Sequence, residues 1–494
     1  MSRKPNPNHS GVTAVLITLI VIMIAATALI IFLCVNMVRH PSQPALPESV
    51  ASLPLPSGAP VSTTPPETLP PETTLPEPEH IVSTATVLST GDLLMHKPII
   101  DRNAKGDGSY DFSPIFQYCR DYVSQADYAL ANLETTLAGT AKPYQGNPFF
   151  NCPDEIVTAC VGAGFDMLLT ANNHSFDTGF DGYVRTLDVT REAGLETLGT
   201  MKDETEPKYT IQEVNGIRIG MICYTYETSD GSGSHPALNG NPMYNATYEN
   251  INCYRPANPQ SMYDEVKTYL AEMEETGVDA TILYIHWGPN EYELYANQKH
   301  QQIAQKLCDL GIDVIVGGHP HVVQPMDLLT STEDPEHKTI VLYSMGNAVS
   351  NQRLGNISSV TTAHTEDGVL FSVTFCKYSD GTVYVQGVDL IPTWIHLTDN
   401  YYILPLDASR EDEWQDLFNL DATTLGKAQN SHTRTMDLVG EGLEKCQQWL
   451  SQCQTERDSY YLDLAMNPGK YTATPETVPE TAVETTAETL ANAA

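Results

Sequence analysis

Apolar residues along this chain fall into two kinds of run. One kind is short, continuous and rich in β-branched residues: TATVLST at 84–90, DYALA at 127–131, DMLLT at 166–170, IRIGMICYTY at 217–226, DATILYI at 279–285, DVIVGG at 313–318 and TIVLYS at 339–344. Runs of this length predict buried strands. The other kind repeats every three or four positions, as in PIFQYCRDYVSQA at 114–126, PDEIVTACVGAG at 153–164, GYVRTLDVTREAG at 182–194, SMYDEVKTYLAEMEETG at 261–277 and HQQIAQKLCDLG at 300–311. That spacing predicts amphipathic helices. Alternation of the two kinds signals an α/β layered fold. Residues 367–392, DGVLFSVTFCKYSDGTVYVQGVDLIP, predict a hairpin turning at Ser379-Asp380-Gly381, and 409–455 read as helical.

The flanks follow other rules. Residues 12–38 hold no charged side chain over 27 positions. A helix of that length is roughly 40 Å long, enough to cross a bilayer with tilt. Arg3 and Lys4 precede the run and Arg39 follows it, so the expectation is an uncleaved signal anchor with its N-terminus inside and the rest outside. On both sides of the central part lie Pro/Thr/Glu stretches, PPETLPPETTLPEPE at 65–79 and TPETVPETAVETTAETL at 474–490. Such composition cannot bury enough apolar surface to offset the ordering entropy and predicts disordered spacers. The expected organisation is a stub and anchor at 1–40, a linker at 41–80, an α/β domain at 81–405, a helical extension at 406–471 and an acidic tail at 472–494. The expected location is the cell membrane, single-pass, with the C-terminal domain extracellular.

Charge narrows the partners. The formal net charge is -36, and 81–470 hold 23 of the 26 basic and 53 of the 62 acidic residues. Nucleic acid and anionic lipid both demand a basic face, so neither is expected as a partner. Ten cysteines, one of them in the apolar run and none in a C-x-x-C pair, read as small core residues rather than a disulfide framework.

Candidate chemistry sits where the strands stop. In open α/β sheets ligands collect at the carboxyl ends of strands. Asp92 follows the first run; Asn132 and Glu134 follow the second; Asn172, Asn173 and His174 follow the third. His286 and Trp287, then His319 and His321, then Asn347 end three more. In an extended segment His319 and His321 would point to one side. One Asp, one Glu, one amide and three imidazoles, with no thiolate, suit a divalent cation such as Mn, Fe, Zn or Mg. His96, His235, His364 and His432 lack a strand-end context and read as surface or core.

The motifs GDLLMH, NLETTLAG, ANNHSFDTGFDG, HWGPNEY, GGHPHVVQPM and YSMGN occur in this order between 91 and 347. As an ordered set they resemble the CapA family of capsule-synthesis proteins, which is associated with poly-γ-glutamate and related in fold to the calcineurin-like metallophosphatases. The resemblance implies a four-layer α/β/β/α sandwich with one or two metal ions at its strand ends. It implies Asp92, Glu134, Asn173, His286, His319 and His321 as ligands and His174 as general acid. Asn132, Asn172, Trp287 and Asn347 are expected at the substrate. One departure stands out: the phosphatase first motif has Asp-x-His, and Leu94 holds the third position here. The implied function is metal-dependent hydrolysis or transfer on an anionic surface polymer or its precursor, beside capsule-synthesis membrane subunits. The alternative is a non-catalytic export or anchoring subunit.

Overall fold

Two β-sheets lie face to face, and the apolar runs explain why. In the computed structural model, which describes residues 79–233, 235–244 and 248–466, alternate residues of each strand point to opposite layers. Val314 and Val316 enter the core between the sheets, whereas Ile315 enters the core under the helices. A strand buried on both faces needs no polar alternation, so its sequence reads as a continuous apolar run.

The first sheet has eight strands. Its order is Tyr401–Pro405, Val383–Leu397, Asp367–Tyr378, Ile81–Leu93, Tyr128–Leu133, Met167–Leu169 and Glu196–Leu198, with Asn347–Val349 also pairing with Ile81–Leu93. The second has seven: Cys253–Tyr254, Ile217–Tyr226, Ala280–His286, Val314–Gly318, Lys338–Met345 and Val323–Thr330 in order, with Tyr209–Val214 beside Ile217–Tyr226. The central strands are parallel in both sheets, so their carboxyl ends gather on one side of the sandwich. Between the sheets, Val87, Leu130 and Phe371 meet Met221, Ile282 and Leu342. Ile99, Phe116, Ile156 and Cys160 cover the first sheet from outside, and Met262, Val266, Ile303 and Leu307 cover the second. The layers are therefore helix, sheet, sheet, helix, the arrangement that the family resemblance implies.

Several elements differ from expectation. The predicted helix at 114–126 is a 3-10 turn, Ser113–Phe116, and a short helix, Arg120–Gln125. A three-stranded insertion, Thr228–Ser229, Pro236–Leu238 and Asn241–Pro242, has no clear sequence signature. The helix Ala422–Met466 is 45 residues long, and its Val439, Leu443, Cys446 and Leu450 join the core between the sheets. Among the described residues no helix is long and apolar enough to cross a membrane; the run 12–38, most of the linker and the tail at 472–494 lie outside them. The nine described cysteines are all unpaired, and eight are buried.

Two glycines bring the sheets together at the polar end. A Cβ on Gly91 would lie 1.9 Å from the Gly346 carbonyl oxygen. The bare backbone instead lets the Asp92 N–H donate to that oxygen at 3.0 Å, so the chain leaving the second sheet at Met345 enters the first at Asn347. A Cβ on Gly317 would meet Tyr343 O at 2.0 Å and the Trp287 indole nitrogen at 2.2 Å. The small residues of GD and GG are thus demanded by close approach.

Candidate metal centre

Five strand ends deliver six side chains to one buried cluster. Asp92, Glu134, His319 and His321 are at most 2% exposed, His286 4% and Asn173 5%. Asp92 accepts from Asn132 Nδ2 at 2.7 Å, and its other oxygen lies 3.0 Å from His321 Nδ1. Asn173 Oδ1 lies 2.7 Å from His286 Nε2, and His319 Nδ1 lies 3.2 Å from the same nitrogen.

Glu134 is the exception to ordinary burial. Both its carboxylate oxygens are buried without a hydrogen-bond partner, and His319 Nε2 is likewise orphaned. Its closest cationic candidates are His286 Nε2 at 3.4 Å and His321 Nε2 at 3.9 Å. An unpartnered buried carboxylate costs several kcal/mol, of order 1–3 or more. A cation is the partner that the surroundings lack. Two donor sets have ligand atoms within 4.8 Å of one another: Glu134, His319 and His321, and Asp92, Glu134 and His286. Glu134 belongs to both, the position of a bridging carboxylate. The residues present therefore fit divalent cation binding at one or two adjacent positions.

The electrostatics agree for His286 and His319, whereas burial would lower His321 but Asp92 outweighs it and raises that imidazole. Burial, and then the neighbouring His286 and His321, push His319 well below the ordinary imidazole range; burial brings His286 down to about 3. Neutral imidazole is the form that ligates a metal. Burial and then the Asp92 charge raise Glu134 well above the usual carboxylate range. Burial alone would raise Asp92 too, but His321, His286 and Asn132 outweigh it and hold it low.

The backbone at the His-Pro-His segment corrects one expectation. The strand ends at Gly318, and His319 and His321 have φ of 93° and 57°. They are left-handed rather than extended, a strain of about 1–3 kcal/mol for each non-glycine residue. Their rings converge, with centroids 5.8 Å apart, because the turn aims them and not because a strand alternates.

His174 is held from the side. Its Nδ1 lies 2.7 Å from Asp177 Oδ2, and Nε2 has no hydrogen-bond partner among the described residues. Asp177 is fixed in turn by the Phe150 N–H at 2.6 Å and by Asn239 Nδ2 at 2.9 Å, the latter from the three-stranded insertion. Phe150 stands edge-on to His174 at 4.7 Å and to His96 at 5.1 Å. His96, expected at the surface or in the core, is buried and forms a wall of the site. Its Nδ1 meets Leu94 O at 3.1 Å and the Asn351 N–H at 3.3 Å. Leu94, in the third motif position, is 1% exposed and apolar.

The expected substrate contacts are mostly corrected. Asn172 gives its amide to Asn132 Oδ1 and Leu133 O, and its oxygen receives the His174 N–H. Asn132 is spent between Asn172 and Asp92. Both position other residues and keep no free polar atom for a ligand. Trp287 is 0% exposed, stacks on His300 and donates to Tyr343 O at 2.7 Å, facing the helix side of its sheet. Asn347 Nδ2 ties His321 O to Thr365 O, leaving Oδ1 unpartnered. No sequence motif singles out Asn239 or Phe150 for this role; Asp177, three residues after His174 in NHSFD, is the one with a local signal, a spacing that also fits an ordinary turn.

With this geometry in hand, comparison with known proteins is informative. The capsule biosynthesis protein CapA of Bacillus anthracis is 27% identical over 275 residues, 54% of this chain and 60% of that protein. The chain thus spans less than two thirds of that relative. The PGA biosynthesis protein CapA of Bacillus subtilis is 26% identical over 307 residues, covering 61% of this chain and 70% of that protein. A probable polyglutamine synthesis accessory protein of Mycobacterium tuberculosis is 23% identical over 46% of this chain and 56% of its own length. Among solved structures, the calcineurin-like phosphoesterase YfkN from Bacillus subtilis aligns with 72% of this chain and 98% of its own, at 17% identity and a TM-score of 0.35. Residues 86–352, more than half of the sequence, match the family described as bacterial capsule synthesis protein PGA_cap, and the chain belongs to that family.

Proposed function

We propose that this chain is a metal-dependent hydrolase or transferase acting on an anionic, polyglutamate-type surface polymer or its precursor. The observation that carries the reading is Glu134, a buried carboxylate with both oxygens unpartnered amid Asp92, His286, His319 and His321. These five residues and Asn173 would hold the cation. When bound, it would polarise an ester, phosphoryl or amide oxygen and lower the pKa of a bound water. The chain supplies the rest. Asn132 and Asn172 fix Asp92, and Asp177 fixes the His174 ring so that Nε2 can give a proton to the leaving group. Phe150 and His96 wall that side against bulk water. In this reading residues 12–38 anchor the chain in the cell membrane with the domain outside, near capsule-synthesis membrane subunits.

The test is metal analysis of the purified chain beside His286→Ala and His319→Ala, with turnover on a generic phosphodiester and a γ-glutamyl amide. Metal in the parent that both variants lose, together with metal-dependent turnover, supports the reading. Unchanged metal content in both variants sinks the ligand assignment. A second reading, a structural site in an export or anchoring subunit, is favoured by Leu94, which puts an apolar side chain in the third motif position. Metal bound tightly with no turnover on any acyl or phosphoryl substrate would select it.

A further inference from the structure

Outside the metal centre, one cavity of this acidic protein is lined by three basic side chains. It measures about 500 Å³ and lies between the start of the long C-terminal helix, the 353–366 segment and the strand Val383–Leu397. The chain has 26 Lys and Arg among 494 residues, yet three of the twelve residues lining this cavity are Arg353, Lys427 and Arg434, against one acid, Glu366. Lys427, Asn430 and Arg434 recur every three or four positions, so one face of the helix supplies them.

The cations are set in place from behind. Glu366 Oε2 receives Arg353 Nη2 at 2.6 Å and the Trp394 indole at 3.2 Å. Asp367, 1% exposed, grips Arg434 through Nε and Nη2 and also accepts from Ser431. Arg353 Nε, Arg434 Nη1 and Lys427 Nζ are left without an acceptor among the described residues. Of the nearby acids, Asp399 accepts from Thr398 and Tyr402, and Asp421 accepts the Thr424 N–H at 2.7 Å while its charge also acts on Lys427. Pre-positioned guanidinium groups with spare N–H donors match carboxylate oxygens. The volume falls in the range of small-ligand sites.

We propose that this cavity is a second, metal-independent binding site for the side-chain carboxylates of an acidic polymer. The proposal rests on the reading that the chain handles a polyglutamate-type polymer, and it adds where that polymer is held. The cavity adjoins the metal centre through one side chain. Asn347 donates to His321 O at 3.1 Å and to Thr365 O at 3.0 Å, next to Glu366. The protein's overall negative charge would repel such a polymer segment elsewhere.

The experiment uses the full chain and a fluorescent γ-linked glutamate hexamer, titrated in excess chelator so that the metal centre cannot contribute. The expected result is saturable, salt-sensitive binding that Lys427→Ala weakens about tenfold, the worth of one charge-assisted hydrogen bond, and Lys427→Glu abolishes. Lys427 is exposed on a helix, so neither change threatens folding. His286→Ala should leave this binding intact. Equal affinity in parent and Lys427→Glu overturns the site. Binding that appears only with metal and is lost in His286→Ala places the polymer at the metal centre alone, overturning the cavity while the proposed function stands. Displacement of the hexamer by inorganic phosphate at lower concentration than by glutarate overturns the carboxylate assignment. Chelator-resistant binding without any turnover keeps the cavity and removes the hydrolase.

Discussion

Both ends of the two sheets are lined with acids, and the two ends use them differently. At the amino ends, Asp127 accepts the Thr86 N–H, Asp166 the Ala129 N–H, Asp279 the Arg218 N–H and Asp313 the Thr281 N–H, each at 2.8 Å. Each aspartate precedes a parallel strand and satisfies a backbone donor of the strand beside it. At the carboxyl ends, Asp92 meets an imidazole, and Glu134 meets no donor. The first arrangement closes a hydrogen-bond account that burial would otherwise leave open. The second leaves one open in the middle of the protein. It is the orphaned Glu134 oxygens, and not a buried acid at a strand end as such, that point to ligand chemistry.

The largest effect should come from the proton donor at the carboxyl end. His174→Ala removes a positioned acid, which typically costs 10²–10⁴-fold in rate, about 3–5 kcal/mol of barrier. Metal content should remain at the parental level, because Nδ1 is engaged by Asp177 and not by the cluster. Parental turnover in a metal-loaded His174→Ala would remove His174 from the chemistry and favour the non-catalytic subunit.

Next comes Glu134→Gln, which sharpens the comparison directly. Changes one shell out from a metal commonly cost 10–100-fold in affinity, so loss of a shared ligand charge should cost about 100-fold or more. The same change should leave the metal-free protein as stable as the parent, or more so, because it removes an orphaned carboxylate. Calorimetry in chelator reads the second part. A large fall in metal-free stability would mean that Glu134 has a structural partner after all. Asp313→Ala should behave in reverse. It strands the Thr281 N–H and hydroxyl, which should cost about 1–3 kcal/mol of stability, while metal affinity holds. If it also lowers metal affinity tenfold, the two ends are coupled and the comparison breaks.

What the sequence made legible follows the same division. Strands buried on both faces announce themselves by continuous apolar runs, and the acids and imidazoles that end them were readable from order alone. The side chains that support the site were not. Asn239 reaches Asp177 from an insertion 62 residues later in sequence, and no local pattern marks such a contact. The left-handed His319 and His321 belong to a turn whose conformation is imposed by packing. The long C-terminal segment was legible as helical, but that its Leu443 and Leu450 enter the core between two sheets depends on tertiary placement. Periodicity reports which face is apolar, and only the assembled fold says what covers it.

Trp287 gives the smallest effect and the cleanest internal control, because it adjoins His286 in sequence yet faces the other way. Successive strand residues point to opposite faces. His286 enters the cluster, and Trp287 enters the helix-side core, stacked on His300 at 5.1 Å with its indole N–H given to Tyr343 O at 2.7 Å. Trp287→Phe keeps most of the apolar area and removes one buried hydrogen bond. The expected cost is about 1 kcal/mol of stability, read as a small fall in denaturation midpoint with an unchanged m-value. Metal affinity and turnover should match the parent. If Trp287→Phe lowers either by tenfold while the fold persists, the indole acts on the ligand side, and the division drawn here between adjacent residues of one strand end fails.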